Sequence, residues 1–146
     1  MTHEEIERWQ RYKADTVAEI QQGRSTYAER YRRALIDTDK RIGDYVFSVI
    51  DNPDKHNLYE ILGVKRFLQM LDKYDWKPKR VKRFFKFYQA LKFSGLKGRT
   101  RYKLTPVQAF QFANIYGFAR DDGRRLIRTA YLFVPRKFSK TTSCAA

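Results

Sequence analysis

The sequence has few cysteine, glycine and proline residues and no long apolar run, and each of these absences excludes a class of protein. It has one cysteine, Cys144, so an internal disulfide framework is excluded. With 7 Gly and 4 Pro it is neither low-complexity nor dominated by loops. No apolar run approaches the roughly 20 residues that a membrane-spanning helix needs. The polar, acidic start at residues 1–5 is unlike a signal or transit peptide. These absences favour a globular protein in a reducing, cytoplasmic setting.

Acidic residues are also scarce relative to basic ones. The 16 Asp and Glu residues stand against 31 Lys and Arg, which gives a formal net charge of +15. Such an excess of positive charge predicts a polyanionic partner. Hydrophobic residues make up 42% of the chain and aromatic residues 16%, enough for a folded core.

Apolar residues recur at helical spacing through the first three-quarters of the chain. Thr2 opens a capping-box pattern, which predicts a first helix that ends near Gly23. The pattern continues over residues 27–49, as one helix or as two with a break near Thr38 or Gly43.

Further helices are predicted over residues 58–71 and from Pro78 onwards, on either side of a proline that disfavours helix before it. Residues 94–103 contain two glycines and several basic residues, and are predicted as a loop. Thr105, Pro106 and Gln108 then begin a short helix as cap, first helical residue and capping-box partner, and Gly117 ends it.

The pattern changes at residues 129–134, an apolar and aromatic run of strand length. Its unbroken apolar character predicts a strand that is buried on both faces. No other segment shows a strand pattern, so the expected fold is mainly α, with several packed helices before a single C-terminal strand. Because a buried strand needs partners, we expect the chain to be truncated within a larger sheet domain.

Basic and small residues follow that strand directly. Lys140 and Thr141 have the order in which a phosphate-binding loop places a lysine on the β- and γ-phosphates and a hydroxyl on Mg²⁺. Backbone N–H groups of such a loop hold the phosphate oxygens. Neither glycine of the usual pattern is present, and Ser139 occupies the position of the second one. A simple basic turn after a strand is the alternative interpretation.

The segment from residue 81 to 146 nevertheless resembles the large subunit of tailed-phage terminases, the motor that packages viral DNA. The resemblance lies in the order of four features: Leu-Thr-Pro-Val-Gln at residues 104–108, Gly-Phe at 117–118, Gly-Arg-Arg at 123–125, and the strand that leads into Arg-Lys-Phe-Ser-Lys-Thr at 136–141. It implies a helical region over residues 1–103 and the start of an ATPase core over residues 104–146.

The resemblance also implies a nucleotide site for ATP and Mg²⁺. In that family the glutamine contacts adenine, which here is Gln108, and the loop lysine and hydroxyl hold the triphosphate and the metal, here Lys140 and Thr141. Arg136 corresponds to the residue that couples hydrolysis to movement. The full implied set is Gln108, Arg136, Lys137, Ser139, Lys140, Thr141 and Thr142.

The partners implied by the resemblance are double-stranded DNA, the portal of the procapsid and the small terminase subunit. The full-length protein would form a homo-oligomer in the cytoplasm of an infected bacterium, without a membrane. The acidic strand for Mg²⁺ and the nuclease carboxylates are not among these 146 residues. We therefore expect the parent protein to be an ATPase and nuclease, and this chain alone to be inactive.

A basic helix face is the candidate DNA-binding surface. Lys79, Lys82, Arg83 and Lys86 share one side of the helix that begins at Pro78, and no acidic residue occurs from residue 76 to 103. A solvated helix surface would show the same pattern. Two other functions therefore stay open: a non-enzymatic basic helical module that binds nucleic acid or a protein partner, and another glutamine-motif ATPase such as a helicase.

Other polar and aromatic residues have simpler interpretations. His3 and His56 are isolated from cysteine and carboxylate partners, so no metal site on protein side chains is predicted. No Ser-His-Asp arrangement is evident. Three aspartates are interpreted as surface acids within a helix: Asp37, Asp39 and Asp44. Trp9 and Trp76 are interpreted as core or anchoring residues.

Overall fold

The computed structural model describes residues 1–26, 32–95 and 98–132. Within these residues the fold is mainly helical, as the sequence predicts. Its α-helices are α1 (His3–Thr26), α2 (Lys40–Asp51), α3 (Leu58–Lys73), α4 (Pro78–Ala90) and α5 (Pro106–Tyr116). A π-helical turn at Arg32–Ile36 precedes α2, and a 3₁₀ turn at Pro53–Lys55 follows it. None of the helices in the described ranges combines the length and apolar character needed to cross a bilayer.

Local capping signals explain where the helices begin. Thr105 caps α5, Gln108 completes the capping box, and Gly117 is the C-cap, as predicted. The break near Thr38 is confirmed, because α2 begins at Lys40. Its N-cap is Asp39, whose side chain accepts a hydrogen bond from the backbone N–H of Arg41. The alternative break at Gly43 is wrong, since that residue lies within α2.

Two small antiparallel sheets supplement the helices. β1 (Asp75–Trp76) pairs with β4 (Phe118–Ala119), and β2 (Lys92–Gly95) pairs with β3 (Gly98–Arg101). The prediction of a loop over residues 94–103 is therefore wrong in part. Gly98 has a φ of +94°, which a glycine adopts without strain. The hairpin strands have no alternation of apolar and polar residues, so the sequence pattern could not reveal them.

One hydrophobic core joins the helices. α2 lies at its centre and packs against α5, α3 and the π-helical turn, while α1 packs against α3 and α4 against α5. Phe67, Val64 and Val46 are fully buried there, as is Phe118 of β4. The core includes residues on both sides of the boundary predicted between residues 103 and 104.

The predicted C-terminal strand does not form over the residues that the structure describes. Thr129–Leu132 have no regular secondary structure, and the Tyr131 side chain is 89% exposed. A strand requires a neighbour to satisfy its backbone groups, and in the described ranges neither small sheet reaches this segment. The remainder of the predicted strand, residues 133–134, lies outside the described residues.

Candidate nucleic-acid interface

α4 is amphipathic, with an apolar face in the core and a basic face in solvent. Its apolar residues Val81, Phe85 and Tyr88 are buried, and the basic residues fall on the opposite side at helical spacing. The exposed cations are Lys79, Lys82, Arg83 and Lys86. None of these four forms an ion pair with a carboxylate among the described residues. Their charge is therefore available to a partner.

A groove of about 410 Å³ extends this basic face between α4 and β3. Lys82, Lys86 and Arg101 line it, so the hairpin adds a cation that the helix pattern alone did not predict. Asp39, from the start of α2, contributes the carboxylate of the groove.

The Asp39 carboxylate forms an ion pair with the Arg41 guanidinium. The Arg41 guanidinium donates from Nε to Oδ1 at 2.9 Å and from Nη2 to Oδ2 at 2.7 Å, and from Nη1 to the side-chain oxygen of Gln89 at 2.7 Å. Burial raises the pKa of Asp39, but the hydrogen bonds and charge of Arg41 outweigh burial and lower it overall. Asp39 is thus an N-cap and ion-pair partner, which corrects its interpretation as a surface acid of a helix.

The surrounding sequence adds no further negative charge. From Trp76 to Arg120 the chain contains no Asp or Glu. The helix, the hairpin and α5 all lie within this stretch. A phosphate that approaches the groove beside α4 therefore meets several cations and Asp39, whose carboxylate is already paired with Arg41, and this favours binding of a polyanion.

Packing on the far side of α4 holds the basic face in place. The Phe84 ring stacks on Tyr116 of α5 with centroids 4.1 Å apart and an interplanar angle of 17°. Arg80 Nη2 donates to the carbonyl oxygen of Gly123 at 2.6 Å. The backbone N–H of Lys77 donates to the carbonyl oxygen of Gly117 at 2.7 Å. α4 therefore presents its cations from a scaffold that is fixed at its start and along its length.

Gln108 has the local role that its capping pattern predicts. Its Oε1 accepts from the backbone N–H of Thr105 at 3.1 Å and lies 3.2 Å from Thr105 Oγ1, and the residue is 9% exposed. The Nε2 amide of Gln108 is a separate donor, so the capping role and an adenine contact can coexist. The structure accounts for Gln108 as a cap, and its contact with adenine stays a prediction.

The remaining residues of the predicted nucleotide site lie outside the described residues. These are Arg136, Lys137, Ser139, Lys140, Thr141 and Thr142. The part of the chain that precedes them ends at Leu132, so the structure does not test whether Gln108 lies near the loop.

A polar cluster that the sequence did not indicate joins α2 to the start of α3. Ser48 Oγ lies 3.4 Å from His56 Nε2, and His56 Nδ1 lies 3.4 Å from Glu60 Oε1. The order is that of a serine hydrolase, but Ser48 Oγ donates at 2.7 Å to the carbonyl oxygen of Tyr45 in its own helix. The hydroxyl is thus engaged with the backbone. Lys13 of α1 also contacts this cluster, because its Nζ donates to the backbone carbonyl oxygen of His56 at 2.8 Å.

The electrostatics of this cluster are those of a structural network. Burial, with the adjacent Glu60 carboxylate, raises the pKa of Tyr45 to about 12. Burial raises the pKa of Glu60, but hydrogen bonds from Asn57, His56 and Tyr45 lower it overall. The interpretation of His56 as isolated is therefore wrong. The spacing of four residues between His56 and Glu60, across the start of the predicted helix, was the signal that could have revealed the pair.

The described ranges contain no group of three or more His, Cys, Asp and Glu side chains that could hold a metal ion. Comparison of the chain with protein-family models, curated proteins and solved structures gave no match. The functional conclusion therefore rests on the residues and their geometry.

Proposed function

We propose that this chain is the N-terminal part of an ATP-driven motor of the large-terminase type, which packages double-stranded DNA into a procapsid. In this proposal the basic face of α4 contacts the DNA phosphates. The proposal combines two kinds of support: the exposed cations of α4, and the order of sequence features from Gln108 to Lys140 that resembles the motor family.

The observation that carries the DNA-binding part is the arrangement of four exposed cations on one helix face, beside a groove that holds a fifth, Arg101. Contacts of this kind recognise phosphate positions and not base sequence. They suit a motor, because a translocating protein has to bind every stretch of the duplex that passes it.

The nucleotide part of the proposal concerns the loop after the predicted strand. ATP with Mg²⁺ would bind there through Lys140 and Thr141, with Gln108 at the adenine. The portal of the procapsid and the small terminase subunit are the proposed protein partners, and the cytoplasm of the infected bacterium is the proposed location.

Duplex DNA binding measured against salt tests the first part. If the α4 face neutralises about four phosphates, a plot of log affinity against log salt concentration should have a slope of about −3.6. A random-sequence duplex and a second duplex of different composition should bind alike. An affinity that does not change with salt would contradict the proposal.

Titration with a fluorescent ATP analogue and Mg²⁺ tests the second part. We expect binding by the unaltered chain and at least about tenfold weaker binding by Lys140→Ala, because the lysine supplies the charge at the phosphates. Lys103→Ala, which changes an exposed lysine outside the loop, is the matched control. Equal binding by both variants would exclude Lys140 from a nucleotide site.

A non-enzymatic basic helical module is the second candidate. It is favoured by one observation: Thr129–Leu132 form no strand. The two titrations separate the candidates. Salt-dependent DNA binding together with nucleotide binding supports the motor, whereas DNA binding without any nucleotide binding supports the module.

A further inference from the structure

The most exposed aromatic side chain of α4 lies beside its cations. α4 has four aromatic residues, and the rings of Phe84, Phe85 and Tyr88 are half-buried or buried. Phe87 is 51% exposed. It lies four residues after Arg83, and side chains at this spacing are neighbours on a helix surface.

An exposed phenylalanine is common on protein surfaces when it stands alone. The surroundings of Phe87 are unusual because they are cationic. Arg83 and Lys86 are exposed next to it, and the acid-free stretch from Trp76 to Arg120 surrounds it in sequence. An apolar ring among cations is the combination that binds unpaired nucleotides, whose bases have an apolar face and whose backbone is anionic.

The part of α4 that holds Phe87 is packed against α5 through Phe84. Phe84, one helical turn earlier, stacks on Tyr116, and the Arg125 guanidinium lies 5.2 Å from the centre of the Tyr116 ring. Arg125 is exposed, so the stacked pair of Phe84 and Tyr116 carries a further cation at the surface. The helix segment that holds Phe87 is therefore packed in place, and it carries exposed cations next to the ring.

We propose that Phe87 stacks on an unpaired base of a single-stranded nucleic acid, whose phosphates contact Arg83 and Lys86. This inference rests on the proposed nucleic-acid function and adds a contact that an unpaired strand can make at the same face and a duplex cannot. In a duplex both faces of each internal base are already stacked, so Phe87 has no base to contact. The cations contact phosphates of either form, whereas the ring adds affinity for single strands alone.

The test compares an oligothymidine of about 16 nucleotides with a duplex, by fluorescence anisotropy at one salt concentration. We expect Phe87→Ala to weaken single-strand binding by about fivefold or more and duplex binding by less than about twofold. Phe87→Trp should retain single-strand binding, because a larger ring also stacks. Tyr59→Ala, which removes a 78% exposed aromatic from α3, is the matched control and should change neither affinity.

Each outcome decides one of the two proposals. If Phe87→Ala and Tyr59→Ala bind oligothymidine equally, the stacking inference is wrong while nucleic-acid binding stands. If Phe87→Ala weakens both forms equally, Phe87 is not a base platform. If the unaltered chain binds neither form, the proposed nucleic-acid function fails and this inference fails with it. Melting curves for the two alanine variants show whether each is folded during the measurement.

Discussion

At Gly117 the backbone passes directly against the ring of Trp76. A Cβ atom at this position would overlap the Trp76 ring and lie 2.6 Å from the carbonyl oxygen of Ala113. Trp76 cannot easily withdraw, because its ring packs edge-on against Phe67 and Phe118 and its Nε1 donates to Thr38 Oγ1 at 3.2 Å. Gly117 is thus required by close packing and not by its backbone conformation, since its φ of −80° is one that any residue adopts.

We predict that Gly117→Ala destabilises the fold by about 2 kcal/mol or more, because the added methyl overpacks a rigid contact. Gly63→Ala in α3 is the matched control. A Cβ there meets nothing within 4 Å, and alanine is the better helix former. We expect Gly63→Ala to be stabilising by about 0.5–1 kcal/mol. Urea denaturation of both variants measures the difference, and equal stabilities would contradict the packing described for Trp76.

Asp39 gives a prediction that depends on pH. Its pKa is lowered in the folded state by Arg41, so the ion pair adds stability above the pKa of an unfolded aspartate, about 3.9. Asp39→Asn keeps an N-cap side chain but loses the charge. We expect it to cost about 1 kcal/mol at pH 7. The difference from the unaltered chain should disappear as pH falls below about 4 through the lowered pKa. A difference that persists at pH 2 would show that the charge is not its origin.

At the scale of elements, the two halves of α1 have different surroundings. Every residue from Met1 to Tyr12 is exposed, including Trp9 at 41%, whereas Thr16 and Ile20 are buried against the core. The interpretation of Trp9 as a core or anchoring residue is therefore wrong. The apolar stripe runs along the whole helix at the same spacing, and sequence periodicity does not indicate where the neighbouring helix ends.

We predict that Ile20→Ala destabilises the fold by about 2–4 kcal/mol, because it removes a buried branched side chain. Trp9→Ala, although it deletes a larger side chain, should change stability by less than about 0.5 kcal/mol. Thermal or urea denaturation distinguishes the two. A large loss for Trp9→Ala would mean that the first turns of α1 pack against the remainder of the chain.

Elements with local signals were predictable, and elements that depend on distant partners were not. The start of α5 follows from Thr105 and Gln108, which satisfy each other's hydrogen bonds within four residues. The hairpin of β2 and β3 has no such signal, because its register depends on pairing across a turn. Residues 129–134 have a β-prone composition, but the described part of this segment forms no strand, because composition alone does not provide a partner strand.

The candidate site likewise has a part that was predictable from local sequence and a part that depends on distant elements. The four cations of α4 were predicted from helical spacing, and their exposure is confirmed. Arg101 and Asp39 were not predicted as neighbours of that face, because a hairpin and the start of another helix bring them there. Hydrogen bonding in the Ser48, His56 and Glu60 cluster likewise depends on how α2 and α3 pack.

For the whole molecule, the central question is whether the net charge of +15 acts through one surface or through the chain in general. A uniformly basic protein would bind DNA wherever lysines are exposed. The acid-free stretch from Trp76 to Arg120 predicts a localised site, because the other elements mix acidic and basic residues. Two double variants that change the net charge equally can separate these possibilities.

The most direct test measures duplex DNA affinity for Lys79→Glu/Lys86→Glu on α4 and for Lys55→Glu/Lys73→Glu elsewhere, at the same salt concentration. All four lysines are exposed, and neither pair includes Lys82, which interacts with Asp39. Melting curves confirm that both variants fold. We predict that the α4 pair loses at least about tenfold in affinity while the control pair loses less than about threefold. Equal losses would contradict the account, because DNA binding would then follow the net charge and not the α4 face.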